Sequence, residues 1–196
     1  MRIRELFSGR IFTFSNFLSI SRILLVPFIG IAFSLEQSTG DSIHTWQAIA
    51  LLALLVATDF FDGLLARALD QVSRLGQFID PLADKIAAFS LSILLYYYKH
   101  LPLWVIIVIV ARDCLTVLGG IVMFSHKDIQ VRPNIFGKLM VASMGIAALV
   151  YILSPTIRIA GITLQQMVIA PVLIFLVISS FFYWRTYSRI YFDKER

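Results

Sequence analysis

The sequence predicts an all-α integral membrane protein, a bundle of six transmembrane helices preceded by a short amphipathic helix at the membrane surface. Of its 196 residues, 59% are hydrophobic and 15% are charged, which is too little charge for the surface of a soluble domain of this size. The apolar residues also lie in long runs, and residues 162–184 contain no charged side chain. Because a helix of about 20 apolar residues crosses the hydrocarbon core of a bilayer, lipid is expected to surround most of the chain.

Six segments have the length and apolar content of a membrane span. Lipid cannot hydrogen-bond free backbone groups, so each segment is predicted to be a helix. The connections are short and no internal repeat is visible, which indicates a single domain over residues 1–196. The predicted helices are Phe17–Leu35, Trp46–Leu69, Gln77–Tyr98, Leu101–Ser125, Asn134–Ser154 and Thr163–Trp184.

Residues 1–15 are predicted to form the amphipathic segment that lies along the membrane. Arg2, Arg4 and Arg10 would face lipid head groups, while Leu6 and Phe7 would dip into the apolar layer. No small-residue cleavage site follows the first apolar run, so a cleaved signal peptide is not expected.

The distribution of basic residues predicts the orientation of the bundle. With a cytoplasmic N-terminus, only Lys99 and Arg158 fall on the outer side. An excess of Lys and Arg marks cytoplasmic segments, so both termini are expected in the cytoplasm. The basic residues on that side are Arg2, Arg4, Arg10, Arg67, Arg74, Lys127, Arg132, Arg185, Arg189, Lys194 and Arg196.

Several ionisable residues fall inside the predicted helices, where each costs at least ~2.5–3.5 kcal/mol to insert. Asp59 and Asp62 are three residues apart near the end of the second helix, and Asp80 and Asp84 are four apart near the start of the third. Both spacings place two carboxylates on one helix face. A short turn joins the two helices, so the four carboxylates are expected at a similar depth, near the cytoplasmic surface. The basic residues inside predicted helices are Arg22, Lys85, Arg112 and Lys138.

Four neighbouring carboxylates repel one another and need a cation. Arg67 and Lys85 could neutralise them in a structural ion-pair cluster, or hard divalent metals could bind the carboxylate oxygens. A third interpretation is a transporter in which the aspartates form a cation pathway. Transporter sites usually lie near the midplane between repeated halves, whereas these acidic pairs lie near one surface.

The residues around the aspartates favour metal-dependent chemistry. Residues 59–84 follow the spacing D-x2-D-G-x2-A-R-x8-G-x3-D-x3-D, which resembles the signature of the CDP-alcohol phosphotransferase family without a gap or mismatch. The resemblance implies the six-helix fold, transfer of a phosphatidyl group from a CDP-lipid to an alcohol, and a homodimer in a bacterial inner membrane. Membrane lipids are expected as partners and nucleic acid is not. An inactive relative is the alternative, but it would be expected to have lost at least one aspartate.

The resemblance also implies residue roles. Two divalent ions, Mg²⁺ or Mn²⁺, would be bound by Asp59, Asp62, Asp80 and Asp84, and Asp84 would be the general base. Small residues would let the flat base of CDP lie against the second helix, although close helix packing also explains them. Arg67 would grip the diphosphate or anchor the helix at the cytoplasmic surface. The residues implied to bind the CDP-lipid are Asp62, Gly63, Ala66, Arg67 and Gly76.

The acceptor is predicted from residues that the signature does not specify. Residues 80–85 read Asp-Pro-Leu-Ala-Asp-Lys, similar to the branch that contains phosphatidylglycerophosphate synthases and eukaryotic-type cardiolipin synthases. Arg112, Lys138 and Arg132 could surround an anionic acceptor. Alternatively, Lys138 and Arg132 extend to lipid head groups and Arg112 only pairs with Asp113. We therefore expect transfer from CDP-diacylglycerol to glycerol 3-phosphate, with phosphatidylglycerol as the alternative acceptor, as in a cardiolipin synthase.

Overall fold

The computed structural model describes residues 14–68, 76–127, 134–154 and 157–192. All six predicted helices are present in these ranges, and the largest difference is that the last helix continues to Phe192 instead of ending at Trp184. Most of the predicted amphipathic segment, residues 1–13, lies outside the described residues. The helices are α1 (Phe14–Thr39), α2 (Ile43–Ala68), α3 (Gly76–Lys99), α4 (Leu103–Lys127), α5 (Ile135–Leu153) and α6 (Leu164–Phe192).

Three segments in the described part of the chain are long and apolar enough to cross a membrane, judged by length and composition. They are Ile20–Thr39 in α1, the whole of α5, and Leu164–Thr186 in α6. In α2 the part whose side chains the structure describes contains a shorter apolar stretch, Ile43–Thr58. The protein is therefore a mostly helical membrane protein. The prediction that all six helices span the bilayer goes beyond these three and stays a prediction.

Local chemistry explains where several helices begin and end. Gly40 follows α1 with a φ of 69°, a left-handed conformation that favours glycine, and its N–H donates to the carbonyl of Glu36 at 2.9 Å. Asn134 caps α5, since its side chain accepts a hydrogen bond from the backbone N–H of Phe136 at 3.0 Å.

A small hairpin connects α5 and α6, and the sequence analysis did not predict it. Strands β1 (Arg158–Ile159) and β2 (Ile162–Thr163) pair antiparallel. The two turn residues, Ala160 and Gly161, both have positive φ, as a two-residue hairpin turn requires. Strands of two residues are too short to display the alternation of apolar and polar side chains by which strands are predicted.

The first of two compact units contains α1, α2 and α3. Helix α1 packs against both α2 and α3. Gly30 allows a close approach to α3, because a Cβ atom there would lie 3.1 Å from Cδ2 of Leu94. The buried apolar residues of this unit include Val26, Ile29, Ala32, Phe33, Ala48, Leu52, Ala83, Ala87, Leu91 and Leu95.

The second unit contains α4, α5, α6 and the hairpin. Helix α6 packs against α5 and α4. Its outward side chains are large and apolar, with Val177 and Trp184 64% and 66% exposed, as expected where lipid covers the surface. The buried apolar residues include Met140, Ala147, Ala148, Tyr151, Ile152, Ile169, Val172 and Leu176. The prediction of a single domain over residues 1–196 stays a prediction.

Candidate active site

The four aspartates lie in regular helix, as predicted. Asp59 and Asp62 fall in the second half of α2, and Asp80 and Asp84 fall in the first three turns of α3. Each pair therefore lies on one face of its helix, and both helices pack on α1. The remaining signature positions are Gly63, Ala66 and Arg67 in α2 and Gly76 at the start of α3.

The described part of the structure includes the side chain of Asp84. The side chains of Asp59, Asp62, Asp80 and Arg67 lie outside it, so their predicted roles stay predictions. The carboxylate of Asp84 is 46% exposed. This exposure leaves the group open to a substrate or an ion, as a base or ligand must be.

A buried arginine on α1 holds Asp84. Nη1 of Arg22 donates a hydrogen bond to Oδ1 of Asp84 and forms an ion pair with it. The side chain of Arg22 is only 3% exposed, so the guanidinium lies in the interior of the unit while the carboxylate reaches its surface. Helix α1 thus contributes directly to the site, in addition to supporting α2 and α3.

The sequence places Arg22 inside the first predicted helix but assigns it no role at the site. A usable signal was present, because a charged residue inside an apolar span is costly and is usually paired with an opposite charge. The sequence offered several carboxylates as partners, and only the packing of α1 on α3 selects Asp84.

Asp84 is a ligand of the type that a divalent metal needs, and metal binding by the four aspartates stays a prediction. Carboxylate oxygens are the ligands that Mg²⁺ prefers, and an ionised carboxylate can accept bonds at both oxygens. Among the contacts of the described residues, Arg22 bonds to Oδ1, and no contact of Oδ2 is among them. Arg22 also supplies positive charge beside Asp84, which stabilises the ionised form of that carboxylate.

A second polar cluster lies in the other unit, around Arg112 of α4. Its Nη1 donates to Oδ1 of Asp113 at 2.9 Å and its Nη2 donates to Oγ of Ser179 at 2.6 Å. The guanidinium also lies 5.5 Å from the ring centroid of Tyr183, within cation–π range. The pairing of Arg112 with Asp113, one of the two alternatives in the sequence analysis, is therefore present. Ser179 and Tyr183 were not predicted.

Gly137 lies beside Arg112 and Ser179. A Cβ atom at Gly137 would lie 3.5 Å from Nη2 of Arg112 and 3.6 Å from Oγ of Ser179. Lys138 is exposed, and Arg132 lies outside the described residues. The role of Arg112, Lys138 and Arg132 in binding the acceptor phosphate stays a prediction.

Comparison with known proteins decides the family. The sequence model of the CDP-alcohol phosphatidyltransferase family matches residues 12–184, which is most of the chain. The chain belongs to the CDP-alcohol phosphatidyltransferase family. The family predicted from the spacing of the eight signature residues is thereby confirmed.

Several relatives within this family have curated names. The chain is 35% identical over 125 residues to the CDP-diacylglycerol–glycerol-3-phosphate 3-phosphatidyltransferase of Aquifex aeolicus, which covers 63% of this chain and 66% of the relative. It is 31% identical over 131 residues to the cardiolipin synthase (CMP-forming) of Streptomyces coelicolor, covering 67% of this chain and 60% of the relative. A third relative is the CDP-diacylglycerol–glycerol-3-phosphate 3-phosphatidyltransferase of Wigglesworthia glossinidia brevipalpis, 29% identical over 178 residues, which are 88% of this chain and 95% of that one. The chain thus spans less than two thirds of the length of the first two relatives.

Proposed function

We propose that this protein transfers the phosphatidyl group of CDP-diacylglycerol to glycerol 3-phosphate, forming phosphatidylglycerophosphate and CMP in phospholipid biosynthesis. The observation that carries the proposal is the complete eight-residue signature along α2 and the start of α3. Its last residue, Asp84, is bound by Arg22 of α1 and is partly exposed at the surface of the unit. Family membership and the names of the Aquifex and Wigglesworthia relatives support the same reaction.

In this proposal, Asp59, Asp62, Asp80 and Asp84 hold two divalent ions, Mg²⁺ or Mn²⁺. The ions would neutralise charge on the diphosphate of the donor. Arg67, at the end of α2, binds the same diphosphate, and the small residues Gly63 and Ala66 leave room for the cytosine base. Asp62 and Gly76 complete the donor site.

The chemical step needs a base and a defined leaving group. Asp84 takes the proton from the acceptor hydroxyl. The hydroxyl oxygen then forms a bond to the β-phosphorus, which carries the diacylglycerol, and the bond from that phosphorus to the bridging oxygen of CMP breaks. CMP departs with the electron pair of that bond, and the proton remains on Asp84 until it passes to water.

The acceptor assignment rests on charge. Glycerol 3-phosphate carries a phosphomonoester with nearly two negative charges, and Arg112 and Lys138, with Arg132, are the basic residues proposed to bind it. Charge-assisted hydrogen bonds to such an anion contribute about 1.5–3 kcal/mol each. Phosphatidylglycerol has a single phosphodiester charge and would gain less from these residues.

The proposal also includes the setting in the membrane. All six helices would span a bacterial inner membrane, with both termini and the aspartates at the cytoplasmic side, where CDP and a polar acceptor arrive from water. The excess of basic residues on that side supports this orientation. A homodimer is the proposed assembly.

Cardiolipin synthesis is the second candidate. The Streptomyces relative, similar over two thirds of this chain, is named a cardiolipin synthase (CMP-forming). In that case the hydroxyl of phosphatidylglycerol would replace that of glycerol 3-phosphate, and the donor, metals and base would be unchanged.

One assay tests the proposal. The purified protein in detergent is given CDP-diacylglycerol, Mg²⁺ or Mn²⁺, and one acceptor at a time, and CMP release is measured. We expect CMP with glycerol 3-phosphate, none after EDTA, and recovery when the metal is added back. CMP with phosphatidylglycerol alone would replace the acceptor assignment, and absence of CMP with every acceptor would refute the phosphatidyltransferase reaction.

A further inference from the structure

In the part of the α1–α3 interface that the structure describes, two ion pairs join the helices, and a comparison of the two distinguishes a structural role from a functional one. At one end, Arg22 of α1 contacts Asp84 of α3. At the other, Lys99 of α3 contacts Glu36 of α1. Both cations are buried, with side-chain exposures of 3% for Arg22 and 8% for Lys99. Each pair therefore links the same two helices through a cation in the interior.

The two carboxylates are used differently. Nζ of Lys99 donates to both oxygens of Glu36, at 2.7 and 2.8 Å, and that carboxylate is 24% exposed. Among the described contacts, Arg22 bonds to one oxygen of Asp84, whose carboxylate is 46% exposed. A pair whose only role is to join helices gains by engaging both oxygens, as at Glu36. At Asp84 the described contacts involve one oxygen of a carboxylate that is about half exposed.

We propose that Arg22 is a positioning residue for Asp84. Its guanidinium holds Oδ1 and so orients the carboxylate, leaving Oδ2 to accept the proton of the acceptor hydroxyl. This inference rests on the proposed function, because it gives Asp84 the role of base.

Burial explains why Arg22 can do this. An aspartate that is half exposed can otherwise rotate about its side-chain bonds, and restricting that rotation costs conformational entropy. Arg22 loses its own freedom when α1 packs, since it is enclosed in the unit. Its planar fork gives a directional bond, unlike the point charge of a lysine. The orientation of the base is therefore set during folding and not during each reaction cycle.

The test compares variants at the two ends of the interface. Arg22→Met removes the bond to Asp84, and Arg22→Lys keeps the positive charge but replaces the planar guanidinium by an ammonium group. Lys99→Met is the matched control, since it removes a buried cation from the same helix pair. For each protein, kcat, the KM for CDP-diacylglycerol, the KM for the acceptor, and the melting temperature in detergent are measured.

We expect Arg22→Met to lower kcat by about 100-fold, the loss that a misplaced catalytic group can cause, while both KM values stay near those of the wild type. Arg22→Lys should lose less. Lys99→Met should lower the melting temperature and keep the kcat of the folded protein. If Arg22→Met does not fold, Arg22→Lys and Lys99→Met still provide the comparison.

The outcomes separate this inference from the proposed function. If the wild type releases CMP and the Arg22 variants keep its kcat, the positioning role is wrong and the function stands. If kcat falls equally in Arg22→Lys and Lys99→Met, in proportion to melting temperature, Arg22 is only structural. If the wild type itself releases no CMP, the proposed function fails and the positioning role fails with it.

Discussion

The two ends of the α1–α3 interface hold ion pairs with buried cations, and the two pairs have opposite polarity. At the aspartate end the cation, Arg22, belongs to α1, and at the far end the cation, Lys99, belongs to α3. Arg22 and Glu36 are 14 residues apart in α1, which corresponds to about 21 Å along a helix. Nζ of Lys99 also lies 5.3 Å from the ring centroid of Phe33, so an aromatic ring contacts this cation as well.

Both cations are buried, so burial of a charge cannot by itself distinguish an ion pair that joins helices from the proposed active-site pair. In the Lys99–Glu36 pair, both carboxylate oxygens accept a hydrogen bond from Nζ of Lys99. Such a pair fixes how two helices meet. The Asp84 carboxylate is more exposed and is held through one oxygen. The number of oxygens in use and the exposure of the acid therefore distinguish the two ends better than charge or depth does.

The largest effect is expected when the Asp84 carboxylate is replaced, and the matched replacement of Glu36 is its control. Asp84→Asn should lower CMP release by about 10²–10⁴-fold, the usual contribution of a general base. Glu36→Gln should leave turnover per folded molecule unchanged and cost about 1.5–3 kcal/mol of stability, the range for hydrogen bonds to charged groups. Both are measured as CMP release and as melting temperature in detergent. Near-normal turnover by Asp84→Asn would remove the base assignment and the functional contrast between the two ends.

An intermediate effect is expected in the second unit. Arg112→Ala and Lys138→Ala should each raise the KM for glycerol 3-phosphate about 10- to 150-fold, equivalent to a lost contact of about 1.5–3 kcal/mol, with little change in the KM for CDP-diacylglycerol. Arg158→Ala is the control, because Arg158 is an exposed cation on the hairpin. Steady-state kinetics with each substrate varied in turn gives the values.

Arg112 also stabilises the second unit, and this effect must be separated from an effect on acceptor binding. It bonds to Asp113 and Ser179, so Arg112→Ala is expected to lower the melting temperature as well. Lys138 is exposed, and its replacement tests the acceptor assignment without that cost. An unchanged KM for glycerol 3-phosphate in Lys138→Ala would exclude Lys138 from the acceptor site.

The smallest effect concerns two glycines, one in each unit. A Cβ atom at Gly30 would lie 3.1 Å from Cδ2 of Leu94, whereas one at Gly137 would lie 3.5 Å from its nearest neighbour. Gly30→Ala is therefore expected to lower stability by up to about 1–3 kcal/mol through overpacking, partly offset by about 1 kcal/mol of helix propensity. Gly137→Ala should be neutral or slightly stabilising. Melting temperatures of the two variants in detergent compare them, and a larger loss for Gly137→Ala would contradict this account of the packing.

Much of the fold was predictable because membrane helices are encoded locally. A run of apolar residues must form a helix in lipid, since no other structure satisfies its backbone, and all six predicted helices are present. The family was predictable for a similar reason, because residues 59–84 form one short stretch of sequence with fixed spacing. The β1–β2 hairpin was missed, since its conformation depends on the positive φ of Ala160 and Gly161 and not on a periodic pattern.

The sequence by itself determined the helices, the lipid environment and the positions of the aspartates along α2 and α3. Only the tertiary structure decided which polar side chains contact one another. Arg22 and Asp84 are 62 residues apart in the chain, and Arg112 and Ser179 are 67 apart. Contacts over such separations depend on which helices pack and on how each is rotated about its axis, and apolar runs that are similar on every side do not encode that rotation. The partner of the proposed base therefore follows from the packing of α1 on α3.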